Sequence, residues 1–130
     1  MIGALAQACL GEKAATGSLD NDLAAGLPLL QCAGGTTWNR FMPAMDNAER
    51  NIRRHGAAAL AHGAEGLMLT EWGDDGHLNH PGLALHALAL AGEVAWSGEH
   101  ARGREEFDAV WSRAVLGDTT GQAAAHLRRA

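Results

Sequence analysis

Acidic, aromatic and imidazole side chains crowd into one short stretch of this sequence, between Gly66 and His80. The stretch opens with an apolar run and then passes into a loop rich in polar groups. An apolar strand that ends in such a loop is a common mounting for functional side chains. The side chains that could do chemistry here are Glu71, Trp72, Asp74, Asp75, His77, Asn79 and His80.

A second predicted strand ends in the same way. Residues 27–32 form an apolar run with glycines near both ends, which is typical of a buried strand. Gly34 and Gly35 follow, and then two threonines, Trp38 and Asn39. Two strands therefore each deliver a tryptophan and polar groups directly after their last apolar residue.

These residue types match what a carbohydrate requires of a protein. The indoles of Trp38 and Trp72 can stack on the apolar face of a sugar ring, and the carboxylates of Glu71 and Asp74 can accept hydrogen bonds from its hydroxyls. The alternatives are that both tryptophans only pack, as Trp96 and Trp111 are expected to do, and that Glu71 pairs with an arginine on a neighbouring helix.

Other chemistries find less support in the sequence. The spacing of Asp74, Asp75, His77 and His80 would allow a metal, but it matches no known ligand set, so no metal and no other cofactor is expected. No G-x-S-x-G motif marks a nucleophile. His86 is predicted to be a buried, hydrogen-bonded histidine. The other histidines outside the loop are predicted to be surface residues: His55, His62, His100 and His126.

The composition argues against several classes of protein, including nucleic-acid-binding and membrane-spanning proteins. The chain of 130 residues has room for one domain, and its net charge of -5 argues against nucleic-acid binding, which needs a basic face. No apolar run is long enough to span a membrane. Two cysteines give neither a disulfide framework nor a metal-binding spacing, so a reduced, cytoplasmic protein without a membrane partner is expected.

Helical patterns alternate with the two predicted strands. The best of them covers 46–62, where Asp46 and Glu49 resemble a capping box, Ile52, Ala59 and Leu60 share a face, and Gly63 ends the helix. A strand at 66–71 follows at once, so strand, helix and strand form a βαβ unit with parallel strands.

Three further helices are predicted towards the end of the chain. Pro81 opens the segment 82–97, with Asn79 or His80 as the predicted cap. This segment is apolar on nearly every side and should be buried against more than one neighbour. A third helix covers 103–116 and a last one covers 119–129. The apolar face predicted for the third helix comprises Phe107, Val110, Trp111, Ala114 and Val115.

The predicted fold class is therefore α/β and helix-rich. Residues 27–130 read as the last βαβα units of a (β/α)8 barrel followed by C-terminal helices, because two parallel strands expect further strands at their edges. Residues 1–26 are poorly patterned: Ile2, Leu5 and Cys9 have helical spacing, and a short helix could end at Gly26. The alternative, a small helical domain with a two-stranded parallel ribbon, is physically poor.

The ordered set of motifs resembles a known family. It comprises Gly35-Thr36-Thr37-Trp38-Asn39, the helix start Asp46-Asn47-Ala48, Gly63 to Leu67, and Thr70-Glu71-Trp72-Gly73-Asp74-Asp75-Gly76-His77. Together with the tail from Phe107 to Gly121, these residues are similar to the C-terminal end of bacterial family-20-like glycoside hydrolases of the β-N-acetylhexosaminidase type. The likeness covers residues 27–125, and W-G-D alone would be a weak signal.

The resemblance implies a barrel enzyme that removes terminal N-acetylhexosamine. In that family the substrate's own acetamido group is the nucleophile, an Asp holds it, and the adjacent Glu is the general acid/base. Carried over by position, Trp72 would line the sugar pocket, Asp74 would bond distal hydroxyls, and Trp38 and Asn39 would lie at the mouth of the preceding strand. The full set expected to contact the sugar is Trp72, Asp74, Trp38, Asn39, Glu71 and His77.

One departure from the family concerns catalysis. The Asp-Glu pair belongs to an earlier strand, and this chain contains no Asp-Glu dipeptide. We therefore expect no catalytic residue here and an inactive, partial barrel that self-associates through open strand edges or depends on an upstream barrel portion. The alternative function is a non-catalytic helical domain that binds a ligand or partner through loop 72–80.

Overall fold

The computed structural model describes residues 5–7, 28–37, 40–72, 76 and 78–130. Its sheet has three parallel strands in the order β1-β2-β3, and they are β1 (Leu5–Gln7), β2 (Leu30–Gly34) and β3 (Gly66–Thr70). Strand β2 pairs with β3 from Leu30 opposite Gly66 to Gly34 opposite Thr70. The predicted parallel pairing of the two apolar runs is confirmed. Strand β2 begins after Pro28, which has no N–H to donate to a ladder.

Strand β1 is an element that the sequence did not indicate. Leu5 lies opposite Leu30, and Gln7 lies opposite Cys32. The helical interpretation of Ile2, Leu5 and Cys9 is therefore wrong at residues 5–7, because three residues are too few to display a strand period. The helix proposed to end at Gly26 lies outside the described residues.

Helix α1 (Met45–Ala61) connects β2 to β3 and covers one face of the sheet. Ile52 is fully buried there in a cluster with Ala33 of β2, and Leu67 and Leu69 of β3 pack against that cluster. The predicted inward position of Leu60 is wrong, because 55% of this side chain is exposed. Glycine 63 has φ +62°, as a helix-ending residue requires.

Two polar predictions for α1 are also wrong. Asp46 and Glu49 form no capping box, since the N-cap residue is Ala44, which makes no side-chain cap hydrogen bond, and Glu49 binds arginines instead. His55 is buried rather than exposed, and its Nδ1 donates a 2.8 Å hydrogen bond to Oε1 of Gln31 on β2. Polar residues that satisfy each other can be buried, and a sequence read one element at a time does not reveal such pairs.

Gly56 sets the distance between α1 and the second helix, α2 (Leu85–Ser97). A Cβ at Gly56 would overlap the side chain of Val94, whereas one at Gly92 on the outer side of α2 would meet nothing within 4 Å.

We expect Gly56→Ala to destabilise the protein, since overpacking costs about 1–3 kcal/mol and exceeds the roughly 1 kcal/mol gained in helix propensity. In the matched variant Gly92→Ala, the free energy of unfolding should rise by about 0.5–1 kcal/mol. Urea denaturation of both variants measures the difference. Shifts of the two midpoints in the same direction would contradict this packing.

Helix α2 is preceded by a 3₁₀ turn at Pro81–Ala84, and His80 caps this turn by accepting the N–H of Gly82 at 3.0 Å. The predicted cap is confirmed. The prediction that this helix is buried against more than one neighbour is confirmed, because α2 packs against both α1 and β3. Its apolar residues are nevertheless not buried on every side. One face is buried, with Leu90 at 0% exposure, while Trp96 is 93% exposed and is not the packing residue that was expected.

Two helices complete the chain after a 3₁₀ turn at Gly98–His100: α3 (Arg104–Leu116) and α4 (Ala123–Leu127). Phe107 and Trp111 are buried as predicted, but Val110 and Val115 are 41% and 45% exposed. Helix α3 is rotated so that Asp108 and Ser112 face inward, where they bind side chains and backbone of other helices. Helix α4 is shorter than the predicted 119–129.

The observed architecture is a helix-rich α/β arrangement around a small parallel sheet. Neighbouring strands follow one another in chain order, so the carboxyl ends of β2 and β3 share one edge. The finer interpretation, that these elements are the last units of an eight-stranded barrel, stays a prediction.

Candidate functional site

The carboxyl edge of the sheet brings the residues after β2 against those after β3. The pairing continues one residue past the strands, because the N–H of Gly35 donates to the carbonyl of Thr70 at 2.9 Å. Thr70 also donates from its hydroxyl to the carbonyl of Ala33 at 3.2 Å. Residues 35–37 and 71–72 therefore leave the sheet together, as the sequence predicts for parallel strands.

Glu71 is held at this edge by its neighbour across the sheet. The hydroxyl of the fully buried Thr37 donates to Oε1 of Glu71. Gly35 makes room for the other carboxylate oxygen, since a Cβ there would collide with Oε2. Within the described part of the chain Glu71 thus pairs with a threonine, where the sequence had suggested an arginine. The result is an exposed residue whose carboxylate has a fixed position.

The backbone of Thr36 is strained. Its φ of +55° lies in the left-handed region, which costs a β-branched residue on the order of 1–3 kcal/mol. Two hydrogen bonds to Ala44 hold it there: the Thr36 hydroxyl donates to the Ala44 carbonyl at 3.1 Å, and the Ala44 N–H donates to the Thr36 carbonyl at 3.2 Å. This turn places Thr37 beneath Glu71, and such strain is frequent at functional sites.

Asn79 joins the loops that follow the two strands. Its Nδ2 donates to the carbonyls of Thr37 at 2.6 Å and Arg40 at 3.1 Å. The residue is 6% exposed, and its Oδ1 is buried without a hydrogen-bond partner in the described part of the chain. From the sequence, Asn79 was one of the polar side chains of this loop and a candidate cap of the helix that Pro81 opens. Its position two residues before Pro81 gave no sign of this bridging role.

The predicted site residues divide into two groups. Glu71 and Trp72 lie at the carboxyl edge, and 44% of Trp72 is exposed, so its indole is accessible to a ligand. The predicted contacts Trp38, Asn39, Asp74 and His77 lie outside the described residues. Their meeting with Trp72 stays a prediction. Thr37 and Asn79 are additional members of the site.

A second polar group, the Arg128 cluster, joins α1, α2, α3 and α4. Arg128 donates from Nε to Oδ2 of Asp108 at 2.6 Å and lies 2.9 Å from Oε2 of Glu49, while Nε2 of His86 donates to Oδ1 of Asp108 at 2.8 Å. The full cluster is Asp46, Glu49, Arg53, His86, Arg104, Asp108 and Arg128.

The Arg128 cluster satisfies its own charges. Burial alone would raise the pKa of Asp108, but the hydrogen bonds from His86 and Arg128 outweigh it and lower that pKa from 3.8 to about 2. The prediction of a buried, satisfied His86 is confirmed, with 2% exposure and the rings of Phe107 and Trp111 edge-on to it. Carboxylates that already hold buried cations tie helices together, so we assign this cluster a structural role.

Comparison with protein-family models, curated proteins and solved structures yields no match for this chain. Among the described residues, no group of three or more His, Cys, Asp and Glu side chains could hold a metal ion. Over the same residues, no helix has both the length and the apolar character that crossing a membrane would demand. The function is therefore inferred from the geometry of the sheet edge and from the residues of the sequence.

Proposed function

We propose that the carboxyl edge of the sheet binds a carbohydrate, with Glu71 and Trp72 as its contacts. The supporting observation is the exposed indole of Trp72 directly after a carboxylate that the Thr37 hydroxyl fixes in place. A pre-positioned carboxylate accepts charge-assisted hydrogen bonds from sugar hydroxyls without an ordering cost, and the indole covers the apolar face of the ring.

The proposed ligand is a terminal N-acetylhexosamine or a related sugar. This finer assignment rests on the resemblance to hexosaminidase-type glycoside hydrolases. In those enzymes the residues that correspond to Trp72 and Asp74 of this chain contact the terminal sugar. The chain has no Asp-Glu dipeptide to supply the general acid. The proposed activity of the 130-residue chain is therefore sugar binding without hydrolysis, as in a partial barrel.

Replacing Trp72 with Ala tests this proposal, because the chain supplies a matched control. Trp96 is 93% exposed on α2, so Trp96→Ala removes an equally large indole away from the sheet edge. We expect N-acetylglucosamine to bind the wild type saturably. Trp72→Ala should weaken binding at least about tenfold, or about 1.4 kcal/mol, while Trp96→Ala leaves it unchanged. Calorimetric titration measures all three proteins.

Two outcomes of this titration would contradict the proposal. One is the absence of saturable binding to the wild type, and the other is an equal loss in both variants. The alternative function, a non-catalytic ligand-binding or interaction domain that uses loop 72–80, also involves Trp72 but predicts no preference for sugars. Saturable sugar binding that Trp72→Ala abolishes therefore separates the two.

A further inference from the structure

The outward face of α2 is apolar along its whole length. Leu85, Leu88 and Trp96 are 44%, 58% and 93% exposed, and Gly92 and Ala95 between them are also exposed. The opposite face of the helix carries the buried residues of the core: His86, Ala87, Leu90, Ala91 and Val94. Single exposed apolar residues are ordinary, but a continuous stripe opposite the core marks an interaction surface.

The spacing of this stripe is that of a helix–helix contact. Residues 85, 88, 92 and 95 alternate steps of three and four, which keeps them on one side over about three turns. No charged side chain interrupts them, since the nearby Glu93 turns aside to pair with Arg102 at 2.7 Å. The stripe therefore suits another helix with apolar side chains at the same spacing.

The stripe is complementary to itself when it is reversed. Its first half carries the two leucines, and its second half carries Gly92 and Ala95 before Trp96. An antiparallel copy would place Leu88 over Gly92, where the structure leaves open space, and would place Leu85 against Ala95 and Trp96. We propose that this face binds a second copy of the chain, with the two α2 helices antiparallel about a twofold axis.

Electrostatics at the two ends of the stripe favour the same arrangement. Glu99, just beyond the end of α2, is exposed. In the antiparallel pair Glu99 of each copy lies near the amino end of the partner's α2, where a carboxylate is favoured, and the two helix dipoles oppose each other. A membrane surface is a poorer occupant, because residues 85–97 contain no Lys or Arg to meet lipid headgroups.

The interface is short, so the dimer is weak. Thirteen helical residues extend over about 20 Å, and a contact of this length falls in the class below about 1,200 Å² that is typical of weak associations. We expect the dissociation constant of the dimer to lie between about 1 µM and 1 mM. The stripe includes neither Glu71 nor Trp72, so different variants test the dimer and the sugar site.

Light scattering coupled to size exclusion, over this concentration range, tests the association. The 13.6 kDa wild type should approach twice its mass and stop there. Leu88→Glu should stay monomeric, whereas Leu60→Glu, which places the same charge at a 55% exposed leucine of α1, should associate like the wild type. A monomeric wild type, growth beyond a dimer, or unchanged association of Leu88→Glu would each overturn the proposal.

Disulfide cross-linking tests the antiparallel orientation. Mixed chains carrying Leu85→Cys and Ala95→Cys should form a covalent heterodimer above the wild-type background, because the two positions face each other. Leu85→Cys alone should not cross-link, since its two copies would lie about 15 Å apart along the axis. Efficient cross-linking of Leu85→Cys with itself would mean parallel helices and would overturn the antiparallel pairing.

Discussion

Replacing Asp108 with Asn is expected to lower the free energy of unfolding by about 3–5 kcal/mol, the usual cost of removing one partner from a buried ion pair. Asp108 is 5% exposed and accepts hydrogen bonds from His86 and from two nitrogens of Arg128. An amide at this position removes the carboxylate closest to the guanidinium of Arg128, which is left with Glu49 and Asp46 as its acidic partners. Urea denaturation at neutral pH measures the loss.

The same variant should change the response to acid. Because the pKa of Asp108 lies at about 2 in the folded protein, against an ordinary value of 3.8, its ionised form adds stability above about pH 4. That stability is lost as the pH falls from 3.8 towards 2. Asp108 is protonated first in the unfolded protein, and near pH 2 it becomes protonated in the folded protein as well. Asp108→Asn should therefore flatten the pH dependence of stability in this window.

Glu105→Gln serves as the control for Asp108→Asn. Glu105 lies in the same helix, is exposed, and should change stability by no more than about 0.5 kcal/mol. A loss below about 1 kcal/mol in Asp108→Asn would mean that the Arg128 cluster does not hold the four helices together.

Asn79→Ala is expected to lower the free energy of unfolding by about 2–3 kcal/mol, because it leaves the carbonyls of Thr37 and Arg40 without their shared donor. Asn47→Ala is the matched control, since Asn47 is exposed and accepts a 3.0 Å hydrogen bond from the exposed Arg50 one turn along α1. Thermal unfolding of the two variants gives the comparison.

The Asn79 variant should also affect the site. Asn79 ties the loop after β2 to the loop after β3, so its loss frees Thr37 and, through it, the carboxylate of Glu71. We expect weaker sugar binding by folded Asn79→Ala than by Asn47→Ala. Equal stability and equal binding of the two variants would show that the carboxyl edge is not organised by this amide.

The parallel sheet edge could be predicted because its signals are local. Two apolar runs of strand length flank a helix with a clear boundary at Gly63, and that order requires parallel strands. Strand β1 was missed because Leu5–Gln7 is too short to show a period. The face of α2 that packs against the core could not be predicted, because the helix is apolar on nearly every side and its sequence favours no single face. Trp96 was wrongly predicted to be a packing residue for that reason.

Long-range polar contacts were beyond the sequence. His55 was assigned to the surface because its partner Gln31 lies in another element, and the Arg128 cluster joins residues up to 82 positions apart. At the site, Glu71, Trp72 and Asn79 stood out by type, but Thr37 did not. The contacts of Thr37 and Asn79 depend on how two loops pack, which no spacing within either loop encodes.

The most direct measurement uses the four tryptophans as reporters. Their indole N–H resonances can be followed by two-dimensional NMR during titration with N-acetylglucosamine, after assignment by single Trp→Phe variants. We predict that the Trp72 resonance shifts saturably while those of Trp96, exposed on α2, and Trp111, buried in the core, stay in place. An unmoved Trp72 resonance, or a larger shift at Trp96, would contradict a sugar site at the carboxyl edge of this sheet.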